Sequence, residues 1–587
     1  MKRILLKRPK LRQCFMPLFL IGVFVSMFPS MLRGIDLTDM AYMLAKYKYV
    51  FDQKVPVNGA SIIMTDIIGG ILYHAVPEGQ VFLLTLACWG LNCGMALLSF
   101  YLLREYLNGF LLIAILAGGG VFSIAFIHIV HYDTLSMFFQ ILAFFVLIKG
   151  LDEKNKNLIT ISGFILGLNI FVRLPNILQT SFVLLIIWYF GQGIKKNKKT
   201  ILSYIGRIVI GICSGSLLGV LLCVMTLGKS GIKNLLFGTM KTLLDSSSSY
   251  SAVYIKNRFY DGISSGLQNA AKYEIVIIVF VILLLGFVKI YFQEENIFSE
   301  KARMRCYKIV EIVSGILMLA WAVVLCQKLS HIPILEILVT NAIVICMASA
   351  FYLRKKDIRL STICLGCVFM ELILTVGTNN GTGFYVVFMG LPMAVTVCSL
   401  WKSLGYSYNP IKNSCKYMMS ITLAVLLCIE GYQYHSTFVY RDSPKESLNC
   451  EAHIKEYKGI KTSAERAGYL DSFVKILEPY NDYEMITLGD FAIGYVITDM
   501  IPFFTSTWPD LTSFSIESFQ RQIEVKLEQD IYPVIVLADV YQTGEDNSPE
   551  KIKMVLDVIR RSEKYKMAHE DEYYRVYVPI EAKKDNE

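Results

Sequence analysis

Two aspartates three residues apart, Asp36 and Asp39, lie in the segment Arg33-Gly-Ile-Asp36-Leu-Thr-Asp39-Met-Ala-Tyr42, where a hydrophobic run ends and a long polar segment opens. If that segment starts as a helix, Asp36, Asp39, Tyr42 and Lys46 continue along one face, because residues three and four apart are neighbours on a helix. Carboxylates so placed can take a proton from a hydroxyl or hold a divalent cation. The plainer role is capping, with Asp36 at the helix start and Thr38 and Asp39 in a first turn whose dipole favours negative charge. Capping does not explain why two carboxylates follow an apolar run at once, on the side away from the basic loops described below.

A second acidic position is Asp133, in His128-Ile-Val-His131-Tyr132-Asp133-Thr134, a very short turn between two apolar runs. It too has the form of an N-cap, but so short a turn sets it at the same depth as Asp39, where the two can share a cavity. The third is Arg173, in Gly167-Leu-Asn-Ile-Phe-Val-Arg173-Leu-Pro175-Asn176. Its side chain either snorkels to a headgroup region or binds phosphate with its guanidinium fork. Glu371 and Glu430 lie inside later apolar runs. A carboxylate there costs roughly 2.5 kcal/mol or more, so each is expected to face protein or a wet cavity.

The elements that must hold these groups are read from composition and hydropathy. Of 587 residues, 54% are hydrophobic and only 18% charged, against roughly 25% charged in soluble domains. The chain is a polytopic membrane protein. Its net charge of +9 does not point to nucleic acid, since the lysines and arginines fall in short clusters between apolar runs and form no single basic face. Runs long enough to cross a bilayer are 15 to 32, 81 to 103, 109 to 127, 134 to 149, 158 to 173, 176 to 192, 205 to 227, 275 to 292, 309 to 327, 333 to 352, 360 to 376, 384 to 400 and 416 to 433. That is thirteen expected transmembrane helices.

With the N-terminus inside, the predicted inner loops collect Lys149, Lys154 and Lys156, then Lys195, Lys196, Lys198 and Lys199, then Lys301, Arg303, Arg305 and Lys308, then Arg354, Lys355, Lys356 and Arg359, as the positive-inside rule requires. Two long outer segments, 33 to 80 and 228 to 274, read as folded loops, and the odd count puts the tail outside. The basic start, Met1 to Arg12, with no small-residue cleavage site after Met31, reads as an uncleaved first span.

The expected architecture is a transmembrane region over 1–433 followed by a small extracytoplasmic α/β domain over 434–587. In that tail, helical patterns at 462 to 480, 513 to 530 and 549 to 564 alternate with extended ones at 484 to 488, 533 to 539 and 573 to 578. It has no glycine-rich phosphate loop, no His/Cys cluster and no nucleophile elbow. Of fourteen cysteines, only Cys450 falls in an outer soluble region, so no intramolecular disulfide is expected there. Cys364 and Cys367 have metal-site spacing, but without a second pair they read as helix packing.

The arrangement resembles the GT-C glycosyltransferases, in particular the branch of the protein O-mannosyltransferases and lipid A aminoarabinose transferases. The resemblance rests on the architecture of the whole chain and on three short motifs. Asp39-Met-Ala-Tyr42 is similar to the acidic motif that opens the family's first outer loop, Asp133 to the acidic residue at the outer end of the fourth span, and Gly167 to Pro175 to the Gly-x-x-x-x-x-Arg-x-Pro pattern that ends the fifth. Segment 228 to 274, with Ser246 to Ser249, matches the family's loop after the seventh span. Two features depart from it: Met40 follows Asp39 where an Asp-Glu pair is usual, and 377 to 383 lacks an Arg-Tyr-x-x-Pro signature.

The resemblance implies an inverting transfer of a sugar from a polyprenyl phosphate donor to a glycan, lipid or protein acceptor at the outer face of a plasma membrane. Asp39 is then the expected base, with Asp36 or Asp133 orienting the acceptor or holding a divalent cation, Mg²⁺ or Mn²⁺. Arg173, and after it Lys46, are expected at the donor phosphate, and Tyr42, His131 and Glu371 at the substrate. A tail poor in disulfides favours a bacterial membrane. The rival reading is a lipid or solute transporter or flippase, which calls for charges near the bilayer midplane and for repeated halves; the charges here sit at span ends and no repeat is visible. A sensor acting through the tail would need far fewer spans.

Overall fold

The computed structural model describes residues 9–52, 55, 60–124, 127–191, 198–233, 251–291, 331–376, 388–403, 410–511, 514–538 and 549–580, with isolated positions at 237, 240, 244, 313, 316, 320, 323 and 327. The helices of the apolar region are α1 (Pro9–Met31), α2 (Asp39–Tyr49), α3 (Ile63–His74), α4 (Gln80–Leu103), α5 (Gly109–Ile124), α6 (Tyr132–Asp152), α7 (Lys156–Val172), α8 (Val183–Phe190), α9 (Lys198–Lys233), α10 (Ala252–Tyr291), α11 (His331–Leu353), α12 (Ile358–Thr375), α13 (Gly390–Ser403) and α14 (Pro410–Thr437). By length and composition, five stretches among the described residues can cross a membrane: Gln80–Leu103, Tyr132–Asp152, Lys198–Gly228, Ile334–Leu353 and Ile358–Thr375. Four shorter apolar helices accompany them, Phe15–Met31, Gly109–Val121, Lys156–Val172 and Leu174–Phe190. The expected run 176 to 192 is divided, with a tight 3₁₀ stretch, Leu174–Phe182, leading into α8. Pro175 at its start has no N–H to give to a regular helix. The expected span 309 to 327 falls almost wholly outside the described residues.

Close helix contact positions α7. A Cβ on Gly163 would lie 2.2 Å from the Ile208 carbonyl oxygen and one on Gly167 2.3 Å from that of Ile212, while Gly211 and Gly215 of α9 meet the carbonyls of Thr160 and Phe164 at 2.1 Å. Two small-xxx-small faces thus lock α7 to α9 backbone to backbone, the packing that glycine permits between apolar helices. At one end of the bundle the basic residues gather: Arg359 pairs with Asp152 at 2.6 Å, and Lys402 with Asp357 at 3.1 Å.

At the opposite end, the described residues of segment 33–80 include α2 and α3, which lie across the helix termini. Tyr47 donates to the carbonyl of Val130 at 2.6 Å, just before α6, and Thr65 to that of Val172 at 3.0 Å, at the end of α7. Met40, Ala41, Met43, Leu44 and Tyr47 are buried, each of the larger ones contributing roughly 1.5–3 kcal/mol.

The tail holds α15 (Ala464–Leu477), α16 (Gly494–Ile497), α17 (Ile516–Leu527) and α18 (Pro549–Ser562), with strands β1 (Cys450–Glu451), β2 (Lys461–Thr462), β3 (Glu484–Leu488), β4 (Ile501–Pro502), β5 (Val534–Ala538), β6 (Tyr565–Glu570) and β7 (Tyr574–Pro579). Its main sheet has the order β4-β3-β5-β7-β6, with β3 parallel to β4 and β5 and the last two strands antiparallel. Every residue of β5 is buried, which is why it reads as a continuous apolar run. Strand β6, YKMAHE, was not expected; only its register with β7 identifies it as an edge strand, since its side chains are mostly exposed.

The tail does not hang free of the membrane region. Gly34 donates to the Lys461 carbonyl at 2.7 Å and Lys461 to that of Leu32 at 2.9 Å. The Lys48 ammonium reaches the carbonyls of Tyr495, Val496 and Thr498 at the end of α16, where the helix dipole favours a cation. Burial pushes that ammonium down to about 8, against Glu456 and Asp499, which raise it.

At the carboxyl end of β3, Gly489 (φ 93°) and Asp490 (φ 58°) form a turn so tight that a Cβ on Gly489 would lie 1.9 Å from the Ala538 carbonyl oxygen. Asp510 accepts from the N–H groups of Gly489 and Asp490 at 2.9 and 3.2 Å. Burial pushes its carboxyl from the ordinary 3.8 up to about 7, with Asp490 adding to the rise and Lys551 opposing it. A folded value above the unfolded one means that the stability it contributes is present below about pH 4 and is lost as pH rises towards 7. Thermal unfolding of the chain across that window is expected to show a shallower decline in Asp510→Asn than in the native protein; equal slopes would contradict the assignment.

Candidate active site

Asp36 is fully buried, and its two oxygens accept from Thr38 N at 2.9 Å, Thr38 Oγ1 at 2.8 Å and Met40 N at 2.7 Å. It fastens the start of α2. Burial first and Asp39 second raise its carboxyl to about 6, against Arg441 and the two backbone donors. Asp39, three residues on, is different: its side chain is 29% exposed, and its Oδ2 accepts from the Tyr440 hydroxyl at 2.6 Å and lies 3.3 Å from an Arg441 guanidinium nitrogen. Arg441 also donates to the Thr38 hydroxyl. Burial lowers the Arg441 value, but Asp39, Tyr440, Asp36 and Asp490 outweigh it and hold the guanidinium above its ordinary range. Burial and then Asp39 likewise push the Tyr440 phenol well up, so it stays a donor.

Tyr42 sets its ring edge-on to Trp508 with centroids 5.9 Å apart, and Trp508 donates to Asp490 at 3.0 Å. The turn after β3 is therefore brought to the Asp39 helix through a buried indole. Lys46 is 3% exposed and pairs with Asp66 of α3 at 3.2 Å. Burial lowers its ammonium, yet Asp66 and Tyr42 more than compensate and it is held above its ordinary value. Burial raises Asp66 to about 6 against Lys46.

Arg173 is 4% exposed and does not snorkel. It donates to the carbonyls of Leu374 at 3.1 Å and Val376 at 2.7 Å, closing the C-terminus of α12, and lies 3.3 Å from Asp133. Asp133 stands in the first turn of α6, with His131 Nδ1 3.7 Å from its Oδ2. Burial and then Arg173 push the His131 imidazole down to about 3, so it is neutral. Glu371 is not among these residues: it is buried beside Cys346 and Cys367, its Oε1 without a hydrogen-bond partner in the described structure.

Asp39, Tyr42 and Lys46 thus share α2, whose start Asp36 fastens from just outside it, and Asp133, His131 and Arg173 form a second group, joined to α2 where Tyr47 donates to Val130. Tyr440, Arg441 and Trp508 were missed. For Tyr440 and Arg441 the signal was present, since they follow the last expected span and so return to the same end of the bundle as Asp39. Nothing in the sequence ties Trp508 to Tyr42. Segments 246 to 249 and 377 to 383 lie outside the described residues.

The fit to a divalent cation is poor. Asp36 spends both oxygens on the start of α2, Asp133 faces Arg173, and among the described residues no group of three or more His, Cys, Asp or Glu side chains could hold a metal ion. A chelator is expected to leave the activity proposed below unchanged; a loss restored by Mg²⁺ or Mn²⁺ would contradict this donor set.

No family model matches the chain, and no curated protein matches it. Among solved structures, the Archaeoglobus fulgidus oligosaccharyltransferase tethered to an acceptor peptide with the NVT sequon is similar at a TM-score of 0.47 and 10% identity, over 89% of this chain and 69% of that one. The same enzyme in complex with Zn and sulfate is similar at 0.45 and 10%, over 88% and 68%. A likeness this distant assigns neither family nor activity, so the reading of the site rests on the residues of this chain.

Proposed function

We propose that the chain is an inverting glycosyltransferase that moves a sugar from a polyprenyl phosphate donor to an acceptor hydroxyl at the outer face of the membrane. One observation carries this reading: Asp39 is a partly exposed carboxylate at the start of α2, shortly after the apolar helix α1 ends, beside an arginine that is itself 33% exposed. That is the pair a displacement at an anomeric carbon with a phosphate leaving group needs.

The acceptor oxygen attacks the anomeric carbon as the bond to the phosphate oxygen breaks on the opposite side. Both contacts to Asp39 fall on Oδ2, so Oδ1 is the oxygen assigned to the acceptor proton. The phosphate leaves as an anion and needs little acid help. Negative charge grows on it in the transition state, and Arg441 is assigned to stabilise that charge. In this role it replaces Arg173 and Lys46, which are enclosed by their own carbonyls and carboxylates. Arg173 instead fixes Asp133 and the end of α12, and Asp36 fixes the helix that presents Asp39. The lipid of the donor would lie along the apolar helices, and the acceptor, whether glycan, lipid or protein, on the side of the tail.

Loss of one preorganised group at a developing charge costs about 2.7–4 kcal/mol. Arg441→Ala is therefore expected to lower kcat/KM for donor consumption by about 10²–10³-fold, with Arg441→Lys between the two. An unchanged kcat/KM in Arg441→Ala would remove the phosphate role.

A further inference from the structure

A polar cavity of about 300 Å³ opens in the tail beside the Asp39 segment, lined by Ser443, Ser463, Glu465, Arg466, Tyr469, Glu572 and Tyr573. Its volume is at the lower end of the about 300–1,000 Å³ typical of small-molecule sites. Two elements build it. Ser463 caps α15 by accepting from Arg466 N at 3.1 Å, which sets Glu465 and Tyr469, one turn apart, on the same face. Across from them, Asp571 accepts from Tyr573 N and Tyr574 N at 2.8 and 2.9 Å and fixes the turn between β6 and β7 that presents Glu572 and Tyr573. The two tyrosine rings then stack at 4.6 Å, and the Tyr573 hydroxyl donates to Glu465 at 3.0 Å.

We propose that this cavity is a sugar-binding subsite that holds one pyranose unit of a glycan acceptor beside the Asp39 segment. It rests on the transferase reading and names the acceptor class. The lining is polar, which disfavours a lipid chain. Glu465 and Glu572 disfavour an anion, because the Arg466 charge is already opposed by Asp442 at 3.2 Å. What remains complementary is a ligand rich in hydroxyl donors and carrying an apolar face: carboxylates and serines meet the hydroxyls, and a tyrosine ring meets the face. The connection to the site is direct, since Arg466 donates to the carbonyls of Arg441 and Ile35, and the Arg441 side chain touches Asp39.

Purified full-length protein in detergent would be titrated with a panel of methyl pyranosides, a matched polar peptide and inorganic phosphate, with binding followed by saturation-transfer NMR. A methyl pyranoside is expected to bind, with the affinity reduced about tenfold or more, the equivalent of about 1.4 kcal/mol, in Tyr573→Ala and in Glu572→Gln, both at the exposed turn, and retained in Asp39→Asn. No pyranoside binding, equal binding in both cavity variants, or binding of the peptide or phosphate in its place would overturn the subsite. Cavity-dependent pyranoside binding in a protein that consumes no polyprenyl phosphate sugar would uphold the subsite and overturn the transferase reading.

Discussion

Asparagine in place of Asp39 is expected to abolish turnover, by about 10²–10⁴-fold, in a protein that still folds. The side chain keeps its size, and an amide oxygen can still accept from the Tyr440 hydroxyl, which now bonds to Asp39 at 2.6 Å. What is lost is an oxygen able to receive the acceptor proton. Asp39 is partly open, so the exchange leaves no buried orphan charge, and thermal stability is expected to stay near that of the native chain. Asp36→Asn is the contrasting case: its buried oxygens hold the N–H groups of Thr38 and Met40, so an amide that presents only one acceptor oxygen is expected to loosen α2 and lower stability first. Near-normal turnover in Asp39→Asn would remove the base from the mechanism.

The second large effect is expected at Arg173, and it is one of stability. Removing it leaves the Asp133 carboxylate without its guanidinium and two carbonyls at the end of α12 without their donor. Breaking one partner out of a buried pair costs about 3–5 kcal/mol, so Arg173→Ala is expected to lower the unfolding temperature in detergent sharply. Replacing both partners, as in Asp133→Asn with Arg173→Leu, removes the stranded charge. It is expected to recover part of the loss, with a coupling of about 0.5–3 kcal/mol between the sites. Stability equal to the native chain in Arg173→Ala would mean that the pair does not hold α6, α7 and α12 together.

How much of this was legible in the sequence depends on the distance over which each contact acts. Hydropathy marks the apolar helices, and β5 stands out because a strand buried on both faces has no alternation to hide it. Asp39 and Asp133 are expected at one depth by sequence, because a helix that crosses a bilayer fixes the height of its ends. The Lys46–Asp66 pair and the embrace of Leu32, Gly34 and Ile35 by Lys461 and Arg466 leave no local pattern, since the partners are far apart in the chain or lie on separate helices. Arg173 had two readings by sequence, snorkelling or phosphate, and its actual partners are carbonyls of a helix some two hundred residues away. Strand β6 escaped notice because an exposed edge strand lacks the apolar alternation that marks a half-buried one.

The most direct measurement is release of polyprenyl phosphate from a panel of polyprenyl phosphate sugars by the purified full-length protein in proteoliposomes, with cell-envelope glycan as acceptor. Release from at least one donor, matched by sugar incorporated into the acceptor and absent in Asp39→Asn, is the expected result. If no donor is consumed while a lipid or solute crosses the same vesicles, the chain is a transporter, and the Asp39 site has been misread.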